Sequence, residues 1–354
     1  MLHLRLINKA ILLTLLLLFI GAHADGKKRI RIRHSKKSKS YIEDYYKKYL
    51  IVRAFESTKF TNFRFSDGGS KLIYKPNEHN NAGVGINYKF ISLNLGFHVP
   101  FTDKDQDRYG KTRQLDLQTH IYARKFIIDF FGQFYKGYYL FNPDIRANYL
   151  PSDVIKRPDI RTRDISLMVQ YVFNYDHFSY NAPLYQNEVQ KKSAGSFIAG
   201  GGIYHSHVRA DSSLVPRDIN DSAFFNGSRF NIASHIGLGI SAGYGYTFVI
   251  HKRFFVTAMA SAGAGLGYSY TSAPGEGRTS AFGPEYDLNL KCAAGYNYGK
   301  YFAGVNYIRL ITTANSAFPD TWQEVNRGNF RVIVAKRLKH RRSLLPKSGV
   351  IKVD

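Results

Sequence analysis

The 354 residues include one cysteine, one tryptophan and three methionines. A single thiol, Cys292, closes no internal disulfide, which excludes the disulfide-stapled secreted folds and leaves Cys292 as a small strand residue. Beyond residue 24 no stretch approaches the ~20 consecutive apolar residues of a membrane helix, so spanning helices are excluded. Acid is missing from two segments. Residues 27–39 hold eight Lys/Arg and residues 336–352 hold seven, with no Asp or Glu in either. Setting those fifteen aside leaves 35 bases against 26 acids, so most of the formal charge of +24 sits in two tails. A nucleic-acid interface needs its basic residues on a folded element, so no nucleic-acid partner is expected. Polybasic tails suit a periplasmic anionic polymer or protein instead.

What is present begins with a leader. Arg5 and Lys9 precede an apolar run from Ala10 to Ile20, and Ala22-His23-Ala24 follows. A charged start, an apolar centre and an A-x-A site predict an exported chain cleaved after Ala24, with no lipoprotein cysteine behind it. Gly (30), Tyr (26) and Phe (26) are abundant, a composition of strands and tight turns.

The dominant period is two. At 236–248 Ile, Leu, Ile, Ala, Tyr, Tyr and Phe alternate with Gly, Ser and Thr, and 82–97 and 165–173 repeat the pattern. Many apolar faces end in aromatics, as interfacial girdles do. Twelve strands are predicted near 48–57, 82–90, 91–98, 113–123, 126–136, 163–174, 194–205, 234–249, 253–269, 285–298, 301–312 and 329–338. Short connections (124–125, 250–252, 299–300) alternate with long ones (57–81, 99–112, 137–162, 205–233, 270–284, 313–328). Residues 175–193 break the rule, as a longer periplasmic connection or an extension of the seventh strand. The predicted fold is all-β: an antiparallel transmembrane β-barrel of about twelve strands in the outer membrane, with both termini periplasmic, since open sheet edges do not persist in lipid. Its parts are a signal peptide (1–24), a basic tail (25–47), the barrel (48–338) and a C-terminal basic tail (339–354). The expected partners are outer-membrane lipid and lipopolysaccharide.

Inward faces follow from parity. Asp116, Gln118, His120, Asp129 and Gln133 form a polar lumen network on the fourth and fifth strands. A two-residue turn at Arg124-Lys125 sets His120 opposite Asp129 and Asp116 opposite Gln133. The eighth and ninth strands point Gly237, Gly239, Ser241, Gly243, Ser261, Gly263 and Gly267 inward, a nearly bare arc. Either the bulky arc leans across or an off-centre channel remains.

Candidate chemistry is sparse. His205-Ser206-His207, with Asp211 and Asp218 nearby, brings to mind a barrel-rim lipid hydrolase, but His205 and Ser206 are strand neighbours that face opposite ways. Spacing fixes no third ligand beside His205 and His207, so no metal is predicted. Asp103, Asp105 and Asp107 open like a calcium loop and form a candidate loop cation site, though Arg108 and Gln114 stand where an EF-hand needs Gly and Glu. The Gly-x-Gly runs are not phosphate loops, because no helix follows them. No cofactor and no enzymatic activity are expected. The predicted role is a narrow pore or a structural barrel with ligand-accessible loops. The alternatives are the rim hydrolase and a soluble or surface β-protein that binds polysaccharide.

The segment YGKTRQLDLQTHIYARKFIIDFFGQFYKGYY (109–139), with LIYKPN (72–77) and QKKSAGS (190–196), resembles a family of uncharacterised proteins from Bacteroidota-type bacteria, a domain of unknown function in the four-thousand-four-hundred series. The likeness spans most of the mature chain. It implies an exported outer-membrane β-barrel and supplies no activity or site residue.

Overall fold

The computed structural model describes residues 40–45, 49–68, 70–78, 80–88, 91–99, 105–122, 124–141, 154–216, 224–275 and 277–339. The predicted leader and most of both basic tails lie outside the described residues. In chain order the strands are β1 (Ile42–Asp44), β2 (Tyr49–Asp67), β3 (Ser70–Lys75), β4 (Asn80–Tyr88), β5 (Ile91–His98), β6 (Arg113–Tyr122), β7 (Phe126–Leu140), β8 (Lys156–Val172), β9 (Glu188–Gln190), β10 (Ala194–Arg209), β11 (Ile232–Ile250), β12 (Phe254–Ala273), β13 (Gly277–Tyr298), β14 (Tyr301–Asn315) and β15 (Thr321–Lys339). Two short helices, α1 (Gln106–Tyr109) and α2 (Asn181–Tyr185), interrupt them.

The chain is an all-β, antiparallel closed barrel. The hydrogen-bonded ring runs β2–β3–β7–β8–β10–β11–β12–β13–β14–β15 and returns to β2 along a ladder from Tyr49↔Lys339 to Asp67↔Thr321. Each of the twelve predicted segments has its strand (β2, β4–β8 and β10–β15), but the ring that hydrogen bonds close among the described residues takes a different path. Ten strands close the ring, while β4, β5 and β6 stand off it. The reason lies in β2. Its later half pairs with β3 (Phe63↔Tyr74) and its earlier half with β4 (Leu50↔Tyr88), so β3 and β4 form one descending line broken at 76–79. Above the break β3 reaches β7 (Tyr74↔Leu140); below it β4–β5 hangs from β2 and β6 hangs from β7. Among the described residues no ladder joins β5 to β6. The break is held by Asn77, whose N–H donates to Thr112 Oγ1 (2.8 Å) and whose Nδ2 donates to the Gly110 carbonyl (2.7 Å). Gly137 (φ +92°) sits at a register shift in β7, where a side chain would collide with the Lys111 carbonyl.

Several predicted long loops are strand. β2 and β3 occupy most of 57–75, and β12 and β13 shorten the connection at 270–284 to the three residues 274–276. Alternation fails there as a signal because both faces are polar beyond the apolar belt, as in Arg278-Thr279-Ser280.

The belt is on the outside. Ile240 is 77% exposed, Phe197 and Phe282 69%, and Leu95 64%, whereas inward Ser166, Met168 and Gln170 are buried. Cys292 lies on the outer face of β13. Such an apolar girdle far exceeds the few hundred Å² that a water-soluble monomer tolerates.

Candidate functional site

The lumen is filled from both ends. At the end where the long hairpins lie, inward Phe63, Phe65, Tyr74 and Tyr138 meet Phe225 and Phe230 of the β10–β11 connection in one buried cluster. Phe225 N–H donates to Asp67, and Tyr74 Oη donates to the Leu214 carbonyl, which pins the connection inward. Beside this cap Arg157 forks onto Asp159 (2.8 and 2.9 Å). Burial alone would raise the Asp159 carboxyl; the hydrogen bonds and charge of Arg157 outweigh it and hold the group down at about 2.

The opposite end, where β2 begins and β15 finishes, is closed by residues 174–193. Of the two predicted forms the chain adopts the longer connection, joining β8 to β10 at the end of the short turns, and this connection turns into the barrel mouth. Phe178, Tyr180, Leu184 and Tyr185 bury themselves against inward Ile127, Ile198 and Met259 of the wall. Asn87 Nδ2 donates to the Tyr185 carbonyl (2.6 Å), and β9 pairs with β1. Part of the predicted N-terminal tail is thus a strand of the closure.

Between the two closures, charged side chains cross the bore. Lys291 Nζ of β13 donates to Asp129 Oδ2 of β7 at 2.9 Å, and both are buried. Arg327 of β15 forks onto both oxygens of Asp164 on β8 (Nη2 to Oδ1 2.6 Å) and donates to Thr312 at 3.0 Å. Around the ten-strand ring these partners stand five and four strands apart, so both pairs tie nearly opposite walls. The bulky side chains lean across, as the bare arc permits. A side chain at Gly263 would strike the Asp287 carboxylate and one at Gly237 the Glu285 carboxylate.

The five predicted network residues divide. The register pairs His120 with Asp129 and Asp116 with Gln133, as the tight turn requires. Gln133 Nε2 donates to Asp116 Oδ2 (3.2 Å), and Asp116 also faces Lys59 (3.4 Å). Asp129 belongs to the cross-bore pair. The side chains of Gln118 and His120 lie outside the described set. A cavity of about 100 Å³, lined among others by Lys59, Asn94, Asp116, Tyr185 and Arg331, remains beside the closure, behind β5 and β6, which no ladder joins to each other among the described residues. Of the loop aspartates, Asp103 is outside the described residues; the Asp105 carboxylate caps α1, accepting from Asp107 N–H (2.9 Å) and Arg108 N–H (3.1 Å). Ser206 is buried, and partly exposed His205 approaches the His235 carbonyl (3.1 Å).

Parity missed a more suggestive constellation. His235 Nδ1 lies 3.0 Å from Ser269 Oγ, and its Nε2 contacts Glu285. A proton inventory decides what it does. Ser269 Oγ donates its one proton to the Asn315 carbonyl (2.6 Å) and accepts from Gln323 Nε2 (2.9 Å). His235 must therefore present Nδ1–H to the oxygen, so it is not a base for that hydroxyl. All three side chains are buried. Extending the parity rule to β11 and β13 would have placed both His235 and Glu285 inward.

Glu188 of the closure gives a pH prediction. It is buried, accepts from Ser179 Oγ, and shares Arg124 (3.3 Å) with Asp44 of β1. Burial raises its carboxyl to about 7; Arg124 and the Ser179 bond oppose that rise, and Asp44 adds to it. A folded value above the unfolded one means stability is fully present below the ordinary carboxylate range and is lost as pH climbs through about 7. Amide protection in residues 178–190, measured relative to the intrinsic base-catalysed exchange rate, is expected to fall from pH 5 to 8, and Glu188→Gln to flatten that fall. An unchanged profile in the variant would refute the assignment.

Residues 36–334 match the family described as Domain of unknown function (DUF4421). Among solved structures the chain is similar to the outer membrane protease OmpT from Escherichia coli (11% identity, 82% of this chain and 97% of that chain, TM-score 0.34). It is also similar to the toluene transporter TodX of P. putida (8%, 83% and 91%, 0.23) and to the outer membrane protein OprG from Pseudomonas aeruginosa (10%, 83% and 97%, 0.22). No curated protein matches it in sequence.

Proposed function

Starting from the premise that the chain belongs to the DUF4421 family, we propose that it is an outer-membrane β-barrel with both termini periplasmic, shut at rest by its own side chains and by residues 174–193. The observation that carries this reading is the inversion of polarity: ionised pairs inside, an aliphatic and aromatic belt outside, around a closed ladder. In lipid the belt replaces the core of a soluble protein, and buried charge is tolerated where it faces its partner. No helix among the described residues is long and apolar enough to cross a membrane. The role is that of a sealed or gated wall rather than a catalyst, since the serine–histidine–glutamate group has its protons committed.

Heat-modifiable migration and planar-bilayer recording test the reading together. Unboiled protein is expected to run as a compact band that shifts on boiling, and reconstituted protein to pass no steady current. Solubility without detergent would overturn the membrane placement, and a steady open conductance would overturn the closure.

A further inference from the structure

Outward-facing cations line up across four adjacent strands at one height. Arg113 of β6 pairs with Lys136 of β7, Lys136 with Arg161 of β8, and Arg161 with Arg209 of β10. All four are exposed. One row nearer the belt, Arg163 of β8 stands beside His207 of β10. The next outward positions are Leu115, Ile165 and the His205–Ile203 line, where the exposed apolar belt begins. Like charges directly opposite one another across strands repel. Among the described residues none of these cations makes an ion pair, although Arg64 pairs with Glu324 on the β2–β15 side of the barrel. The field is legible in His207. Burial, then the charges of Arg163, His205 and Arg209, hold its imidazole below the ordinary histidine range, and no acid acts on it.

We propose that this row is a docking surface for the phosphates of a multiply phosphorylated membrane lipid, lipopolysaccharide, whose acyl chains lie on the belt beneath. The inference rests on the membrane reading above. Strands are spaced about 4.8 Å apart, so four of them carry charge over roughly 14 Å, room for more than one phosphate. Guanidinium groups grip phosphate bidentately, and the apolar surface begins two residues away, where a lipid's chains would begin. A soluble anion would satisfy the charge but leave the belt's edge unused.

The test uses the full chain in phosphatidylcholine vesicles with and without bisphosphorylated lipid A. Arg161→Gln/Arg163→Gln/Arg209→Gln is compared with Lys252→Gln/Lys300→Gln, which removes charge at the other end. The triple variant is expected to bind lipid A on the order of 100-fold more weakly, in a salt-dependent way, while the control binds as the parent does. In the unaltered protein the His207 titration, followed by NMR, is expected to move upward when lipid A is added but not when inorganic phosphate is added at the same concentration. That measurement stands if the variant fails to fold. Equal lipid A affinity in the folded triple variant, or an unmoved His207, overturns the site while insertion into phosphatidylcholine leaves the membrane reading intact. Failure to insert into any vesicle overturns both.

Discussion

Arg327→Met is expected to destabilise the barrel by about 3–5 kcal/mol, because it strands the Asp164 carboxylate in a buried site with nothing to replace the fork. Asp164 is 3% exposed and Arg327 5%, so solvent does little to compensate. Removing both charges is a different experiment. Arg327→Met with Asp164→Leu eliminates the stranded ion along with its partner, and most of the loss is expected to return. The quantity to read is the urea midpoint of the unboiled band in lipid vesicles. A single variant within about 1 kcal/mol of the parent, or a double variant no better than the single, would show that the pair is not a cross-brace.

The second large effect concerns current. The bore carries barriers in series: the 174–193 closure and, directly over it, the Lys291–Asp129 pair, with the Tyr180 ring 4.9 Å from the Lys291 ammonium. Barriers in series block independently. Replacing residues 179–187 with a Gly/Ser linker is therefore expected to leave the bilayer silent. The same replacement combined with Lys291→Ala and Asp129→Ala is expected to give discrete steps. Full steps from the linker alone would mean that the cross-bore pair does not seal; silence from the combination would place the block at the Arg327–Asp164 layer or the aromatic cap.

Much of the wall was legible in the sequence. Alternation at 236–248 gives the outer face of β11, and the two-residue turn at Arg124-Lys125 gives the β6–β7 register, because both signals are local. What escaped was not local. Arg327 meets Asp164 across 163 residues and Lys291 meets Asp129 across 162, and no spacing rule sees such pairs. The closure at 174–193 escaped for another reason: Phe178, Tyr180, Leu184 and Tyr185 have neither period, and their burial depends on a wall built from distant strands. Strand ends beyond the belt carry no period-two signal because the outer face there is as polar as the inner. The break at 76–79, and with it the ten-strand ring, depends on β2 dividing its ladder between two partners, which composition does not report.

The Tyr49↔Lys339 to Asp67↔Thr321 ladder has a kinetic corollary. It unites the first long strand with the last, so its loop-closure entropy falls on nearly the full chain and its hydrogen bonds arrive only after everything between has been threaded. Until then nineteen residues of β2 remain a sticky rim. A nascent copy halted before Thr321 is therefore not a smaller version of the finished object but a seed for mispairing, and whatever escorts the chain must shield that rim to the last.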